Sequence, residues 1–252
     1  VFPAPRGVAH GWLRARGPRE LAMFKKASTV AFKGETKLRG KETKKLRDAV
    51  SARFGGESAA GLLLPGKADV TLKKSGGGST TAFIFIDGEC CLVQPDGRAE
   101  VGDAEMVPTV LALWKVGAEA LLPCVLIQRP VAKFIFKGAN VMAPGVHSVL
   151  PGGGTGAGAQ GPAVGALVAV RAIGNPSACA VGRLLMPAET LAEARGAAKK
   201  GEAVEVLHYF GDALWEACGG PRPPGFAGDE VLATDPDEEA RLQAGPRADC
   251  DE

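Results

Sequence analysis

The sequence is poor in the groups on which catalysis and metal binding draw. Its three histidines, His10, His147 and His208, are far apart, and no G-x-S-x-G, H-E-x-x-H or helix-spaced His/Asp pair accompanies them. Neither a hydrolase triad nor a zinc peptidase is therefore written locally into the chain. Six cysteines stand at 90, 91, 124, 179, 218 and 250 without a C-x-x-C and without regular spacing. Neither a zinc site nor a disulfide framework is indicated, and the pattern suits a reducing cytoplasm. No apolar run reaches the roughly 18 residues that a membrane-crossing helix needs, and no G-K-[ST] phosphate loop is present. These absences predict a non-enzymatic chain with no cofactor, no metal and no membrane partner.

Glycine and proline are in excess, at 35 and 18 of 252 residues, against average usage of roughly 7% and 5%. Much of the surplus sits in residues 1–20, 151–162 and 219–228, which read as tails and linkers. Within "PGGGTGAGAQGP", Gly156, Gly158 and Gly161 spell G-x-G-x-x-G. A dinucleotide fingerprint must follow a strand, open a helix and meet an acid about 20 residues later. Here Pro162 and the strand-like run "AVGALVAVRAI" follow, and the next acid is Glu189. A Gly-rich composition alone generates such a match, so the stretch is read as a flexible connection between strands.

The near-neutral total of +2 hides an asymmetry. Residues 1–75 hold 17 Lys/Arg against 6 Asp/Glu, while residues 226–252 hold 2 against 9. A basic segment on a folded body is the footprint of a phosphate-rich partner, through counterion release; it is equally the footprint of a solvated helix face. The acidic, aromatic-poor end cannot offset its ordering entropy and is expected to be disordered. The chain starts at Val1, and its Arg-rich first residues read as a fragment end or an upstream extension, with Met23 as the natural start.

Along the chain, "GKETKKLRDAVSARF" places Leu46, Val50 and Phe54 at i, i+4 and i+8, which predicts a basic amphipathic helix over 40–54. "DVTLKK", a Gly/Ser loop and "AFIFIDGECCLVQ" predict an antiparallel meander whose last turn is Asp87-Gly88. Adjacent Cys90 and Cys91 would face opposite sides of a strand, so at least one is a core residue. "MVPTVLALWKVGAEALLP" predicts a helix over 106–123, with Pro108 in its first turn and Pro123 closing it. A second unit then follows: a helix at "VAKFIFKGA", a turn at "APG", a strand at "ALVAVRAI", a hairpin partner at "SACAVGRLL", a helix at "AETLAEARGAAKKG" and a strand at "AVEVLHYFGD". Short helices among several short strands predict a compact barrel-like domain. His208 is read as a strand residue with an ordinary hydrogen bond, and Trp114 and Trp215 as core residues or a protein-interaction face.

In "RPVAKFIFKGANVMAPGV", Lys133 and Lys137 flank a run into Gly138-Ala139, and Pro144-Gly145 supplies a turn whose glycine tolerates positive φ. Exposed amides beside two lysines can grip a nucleic-acid backbone; the same small residues also suit a tightly packed helix-to-strand connection. Sequence physics does not choose between the two.

This segment resembles the opening motif of PUA domains, the RNA-binding pseudobarrels of pseudouridine synthases, archaeosine transglycosylases and several translation factors. The chain is similar, more specifically, to the N-terminal half of the ligatin or eukaryotic translation initiation factor 2D family, and to its shorter relative, the malignant T-cell-amplified sequence protein. The residues carrying this are "MFKKA" at 23–27, "GKETKKLRDAV" at 40–50, "LLLPGK" at 62–67, "VPTVLALW" at 107–114, "KGANVMAPGV" at 137–146 and "VLHYFGDALWE" at 206–216, in order over about 195 residues. The resemblance implies an α+β chain: a leader at 1–22, an N-terminal α+β domain at 23–127, a PUA pseudo-β-barrel at 128–218 and an acidic linker or tail at 219–252, with both termini disordered.

The resemblance further implies binding, without bond chemistry, to small-subunit ribosomal RNA and to the acceptor end of a tRNA in non-standard initiation, reinitiation or recycling in the cytoplasm. Lys137, Gly138, Ala139, Asn140, Pro144 and Gly145 match the PUA motif directly. Lys133, and Lys41, Lys44, Lys45 and Arg47 on the basic helix, join them on charge. Ligatin continues into winged-helix, SWIB-like and start-codon-selecting regions that this sequence does not show, so density-regulated protein or those missing domains are the expected partners. The alternative is a PUA accessory or targeting module for an RNA-modification enzyme.

Overall fold

A computed structural model describes residues 24, 30–76, 80–152, 161–193, 200–220 and 222–226. The leader, Met23, the centre of the Gly-rich stretch and residues 227–252, with the disorder expected of the leader and of that end, lie outside these residues. Of the linker expected to be disordered from 219, residues 219–220 and 222–226 are ordered, and Phe226 packs against Trp114 and Phe210 at 5.1 and 4.9 Å.

The first sheet has the order β1-β2-β3-β4-β5 and is antiparallel throughout: β1 Phe32–Lys37, β2 Val70–Ser75, β3 Ala82–Ile86, β4 Glu89–Gln94 and β5 Val107–Pro108. The β3–β4 turn falls at Asp87-Gly88, where φ is 52° and 84°, the left-handed pair that matches strand twist in a tight hairpin. All of β3 is buried, with Phe83 and Phe85 meeting Phe32 edge-on at 5.1 and 5.4 Å. The register slips between Ile84 and Phe85, where Ile84 opposes Leu92 and Phe85 opposes Cys90. Cys91 is the extra residue of this bulge, and both neighbouring thiols are buried.

Two helices follow β1, α1 Gly40–Arg53 and α2 Gly56–Leu63. The α1 start is fixed by Glu42, whose carboxylate accepts the Arg39 N–H at 2.8 Å. Leu46, Val50 and Phe54 are all buried, as their spacing requires, and each contributes roughly 2 kcal/mol by burial. The helix expected over 106–123 is instead three pieces: β5 at its start, then α3 Val110–Val116 and α4 Ala118–Leu121. Pro108 pairs with Leu92 on a sheet edge, where its missing N–H costs nothing. Thr109 then caps α3 by accepting the Ala112 N–H, and the chain turns at Gly117 with φ 96°.

The second sheet has the order β7-β11-β10-β9-β6-β8: β6 Cys124–Ile127, β7 Val141–Met142, β8 Val146–Leu150, β9 Leu167–Ala172, β10 Ala180–Leu184 and β11 Glu202–Tyr209. Here β6 runs parallel to β9 while the other pairs are antiparallel. Cys124–Ile127, grouped by sequence with the first unit, is thus hydrogen-bonded into the second. Helices α5 Arg129–Ile135, α6 Ala188–Glu193 and α7 Ala213–Cys218 complete the described elements. Gly161 leads through buried Pro162 into β9 rather than into a helix, which removes the dinucleotide geometry from G-x-G-x-x-G.

The two sheets share a core. Leu113, Leu121, Ala169, Ala178, Val181, Leu207 and Leu214 belong to one buried cluster. Trp114 donates its indole N–H to the Ala178 carbonyl at 2.8 Å, and ion pairs Glu105–Arg183 (2.5 Å) and Glu119–Arg171 (3.0 Å) flank the junction. Trp215 stacks edge-on with Phe210 at 4.6 Å. His208 is buried in β11 and bonds the Asp212 carboxylate at 2.7 Å; that carboxylate also caps α7 through the Trp215 N–H. His208 is thus the hydrogen-bonded strand residue its sequence context predicts.

Candidate nucleic-acid interface

The motif segment opens on α5, with Gln128 extended before it and Pro130 in its first turn, where a missing N–H is harmless. Ala132 and Ile135 face the core, while Pro130, Lys133, Phe134 and Lys137, at i, i+3, i+4 and i+7, face solvent. No carboxylate occurs between Arg129 and Asn140. The segment itself therefore contributes only positive charge to this face.

The helix ends by folding its own amides inward. Lys137 and Ala139 donate to the Phe134 carbonyl at 3.1 and 3.0 Å, and Gly138 donates to Ile135 at 2.8 Å with φ 85°. This is the left-handed C-terminal cap that favours glycine. The exposed amides expected here are thus occupied: a helix C-terminus has orphan carbonyls to satisfy, and the three N–H groups satisfy them. Asn140 is also held, its Oδ1 accepting the Val206 N–H at 3.0 Å and its Nδ2 donating to Glu202 at 3.2 Å.

Pro144-Gly145 lies in a single 3-10 turn, Ala143–Gly145, between β7 and β8. Gly145 does not use the positive φ that glycine tolerates. It is glycine for space, since a Cβ there would stand 2.8 Å from Val131 Cγ2, and its carbonyl accepts the Gln128 N–H. Of the seven residues singled out in this segment, Lys133, Lys137, Ala139 and Pro144 are exposed, Gly138 and Asn140 half-buried, and Gly145 buried.

The basic helix α1 divides in two. Lys41 and Lys44 are exposed. Lys45 is gripped by Glu100 at 2.7 Å and Asp103 at 2.8 Å, and these bonds, Asp103 first, raise its pKa. Arg47 donates to the Leu64 carbonyl and stands 4.0 Å from Glu57. Lys45 and Arg47 thus fasten α1 to its neighbours.

Reactive chemistry is not evident among the described residues. Burial pushes the Cys91, Cys124 and Cys179 thiols up to about 12, and Cys90 well above its usual value. No three His, Cys, Asp or Glu side chains of the described residues converge as metal ligands, and no described helix is long and apolar enough to cross a membrane. The sequence reading missed Phe134, which lies on the lysine face with 53% of its surface exposed. Its i+1 and i−3 relation to Lys133 and Lys137 was the available signal.

Comparison with known proteins bears on this geometry. Residues 108–213 match the family model described as "elF2D, PUA domain", and residues 24–116 match the "Pre-PUA-like domain". Translation machinery-associated protein 20 of Eremothecium gossypii is 30% identical over 197 residues, which are 77% of this chain and 97% of that protein. The chain belongs to the translation machinery-associated protein 20 and initiation factor 2D family. Eukaryotic translation initiation factor 2D of Rattus norvegicus is 30% identical over 210 residues, 81% of this chain but 33% of that factor, so the chain spans about a third of the longer relative. A crystal structure of a PUA domain from Aeropyrum pernix K1 in its tartrate complex superposes with a TM-score of 0.58 at 25% identity, covering 75% of this chain and 92% of that one. The family therefore fixes the second sheet as a PUA domain preceded by a pre-PUA domain, the α+β arrangement expected. The family models overlap at residues 108–116, from the end of β5 through α3, the stretch in which Trp114 reaches across the junction.

Proposed function

We propose that this chain is a non-enzymatic RNA-binding module of a cytoplasmic translation factor. It contacts the small ribosomal subunit and the acceptor end of a tRNA during non-standard initiation, reinitiation or recycling. The observation that carries this reading is the exposure of Lys133 and Lys137 along a segment without an acid of its own, within the stretch that matches a PUA domain. Lys41 and Lys44 supply a second cationic contact on the pre-PUA domain. Because the chain spans a third of initiation factor 2D, we assign the remaining activity to further domains of that kind or to a second protein such as density-regulated protein.

Phosphate contacts dominate the affinity on this reading. Four lysine–phosphate contacts would weaken binding about a hundredfold between about 50 and 200 mM salt. Co-sedimentation with small subunits and filter binding of tRNA across that range test it. Salt-independent binding, or none, overturns it.

A further inference from the structure

Every described aromatic side chain except one is buried or half-buried, and most rest on another ring: Phe32 on Phe83 and Phe85, Phe136 on Phe210, Phe210 on Trp215. Phe134 is the exception. It projects from the solvent face of α5 between two exposed lysines, and Lys133 Nζ stands 5.1 Å from its ring centroid. The inward residues of the same helix, Ala132 and Ile135, complete the packing without it. The ring therefore has no role in the core.

The end of α5 is otherwise a poor place for an anion. Its carbonyls give it the negative end of the helix dipole, and the amides of Lys137, Gly138 and Ala139 are turned back to cap it. Among the described residues of this segment, the flexible ammonium groups of Lys133 and Lys137 are the exposed cations that can meet phosphate. Ammonium groups on long stems confer charge but little orientation. A flat apolar surface between them supplies what they lack, since any nucleobase has a face that stacks on an aromatic ring, and backbone phosphates then fall beside the stack.

We propose that Phe134 is a base-stacking platform, which makes an unpaired nucleotide of single-stranded RNA, rather than duplex or free phosphate, the ligand of the α5 face. Lys133 and Lys137 hold the phosphates on either side of the stacked base. This rests on the RNA-binding reading above and specifies which RNA element reaches the PUA domain.

The test uses the full chain and a single-stranded RNA hexamer carrying one 2-aminopurine, whose fluorescence is quenched by stacking. Phe134→Ala should weaken hexamer binding about tenfold and abolish the quench, with the salt slope unchanged, because stacking releases no counterion. Phe134→Tyr should retain both affinity and quench. The pair Lys133→Gln and Lys137→Gln should instead lower the magnitude of the salt slope by about 1.4. An unchanged thermal midpoint in Phe134→Ala excludes misfolding as the cause. If Phe134→Ala binds like the wild type while the lysine pair weakens, the platform is overturned and the RNA reading stands. A wild-type chain that binds no RNA overturns both. Loss of a protein partner with RNA affinity intact makes Phe134 a protein contact and also overturns the platform.

Discussion

Helices α1 and α5 both carry lysines toward solvent, and they differ in what surrounds those lysines. On α1, four cations lie within seven residues, but Glu100, Asp103 and the Leu64 carbonyl consume Lys45 and Arg47. Along α5 and the turn that ends it, two lysines flank an exposed ring and no acid lies in the segment. A count of positive residues ranks α1 above α5, whereas a count of exposed ones without an ionic partner described here makes them equal. The lesson is that charge available to a ligand is fixed by acids distant in sequence, here 55 and 58 residues away.

The largest expected effect separates scaffold from surface on α1. Leu46→Ala should destabilise the chain by about 3 kcal/mol in urea denaturation, since it empties a fully buried site. A loss below about 1 kcal/mol would mean that α1 is not seated by its apolar stripe. Next, the two exposed pairs can be set against each other. Lys41→Glu with Lys44→Glu, and Lys133→Glu with Lys137→Glu, should each weaken small-subunit or tRNA binding at least about tenfold without unfolding. If only one pair does so, the comparison breaks and the other helix leaves the interface.

Asn140→Ala should cost about 1 kcal/mol of stability, because the Val206 N–H loses its acceptor. No change would show that Asn140 is available for RNA after all. The smallest effect belongs to Lys45→Gln, which should leave RNA affinity within about twofold because its ammonium is already bound to two carboxylates. A loss as large as that of the Lys41/Lys44 pair would place Lys45 in the interface.

Local periodicity made several elements legible. Leu46, Val50 and Phe54 announced α1, Asp87-Gly88 announced the β3–β4 hairpin, and the apolar run at 167–172 announced β9. Strand β6 was not legible: four residues carry little period, and its partners β8 and β9 are later in sequence. The break of the 106–123 helix was hidden for a similar reason, because Pro108 is an acceptable first-turn residue until Leu92 pairs with it. At the candidate site, "KGANVMAPGV" marked the segment, but the state of its backbone was not legible. The amides of Lys137, Gly138 and Ala139 are caps, and Gly145, whose tolerance of positive φ goes unused, gives room to Val131.

By itself, then, the sequence determined which segments are amphipathic and which turns are tight, since each rests on residues within about ten positions of one another, and the order of its short motifs pointed to the family. Tertiary structure alone decided that Cys124–Ile127 joins the second sheet, that Lys45 and Arg47 are fasteners, and that Phe134 is left outside the core. The physical reason is common to all three. Hydrogen bonds between strands, ion pairs and burial are settled by the group that arrives from elsewhere in the chain, and local periodicity does not encode the identity of that group.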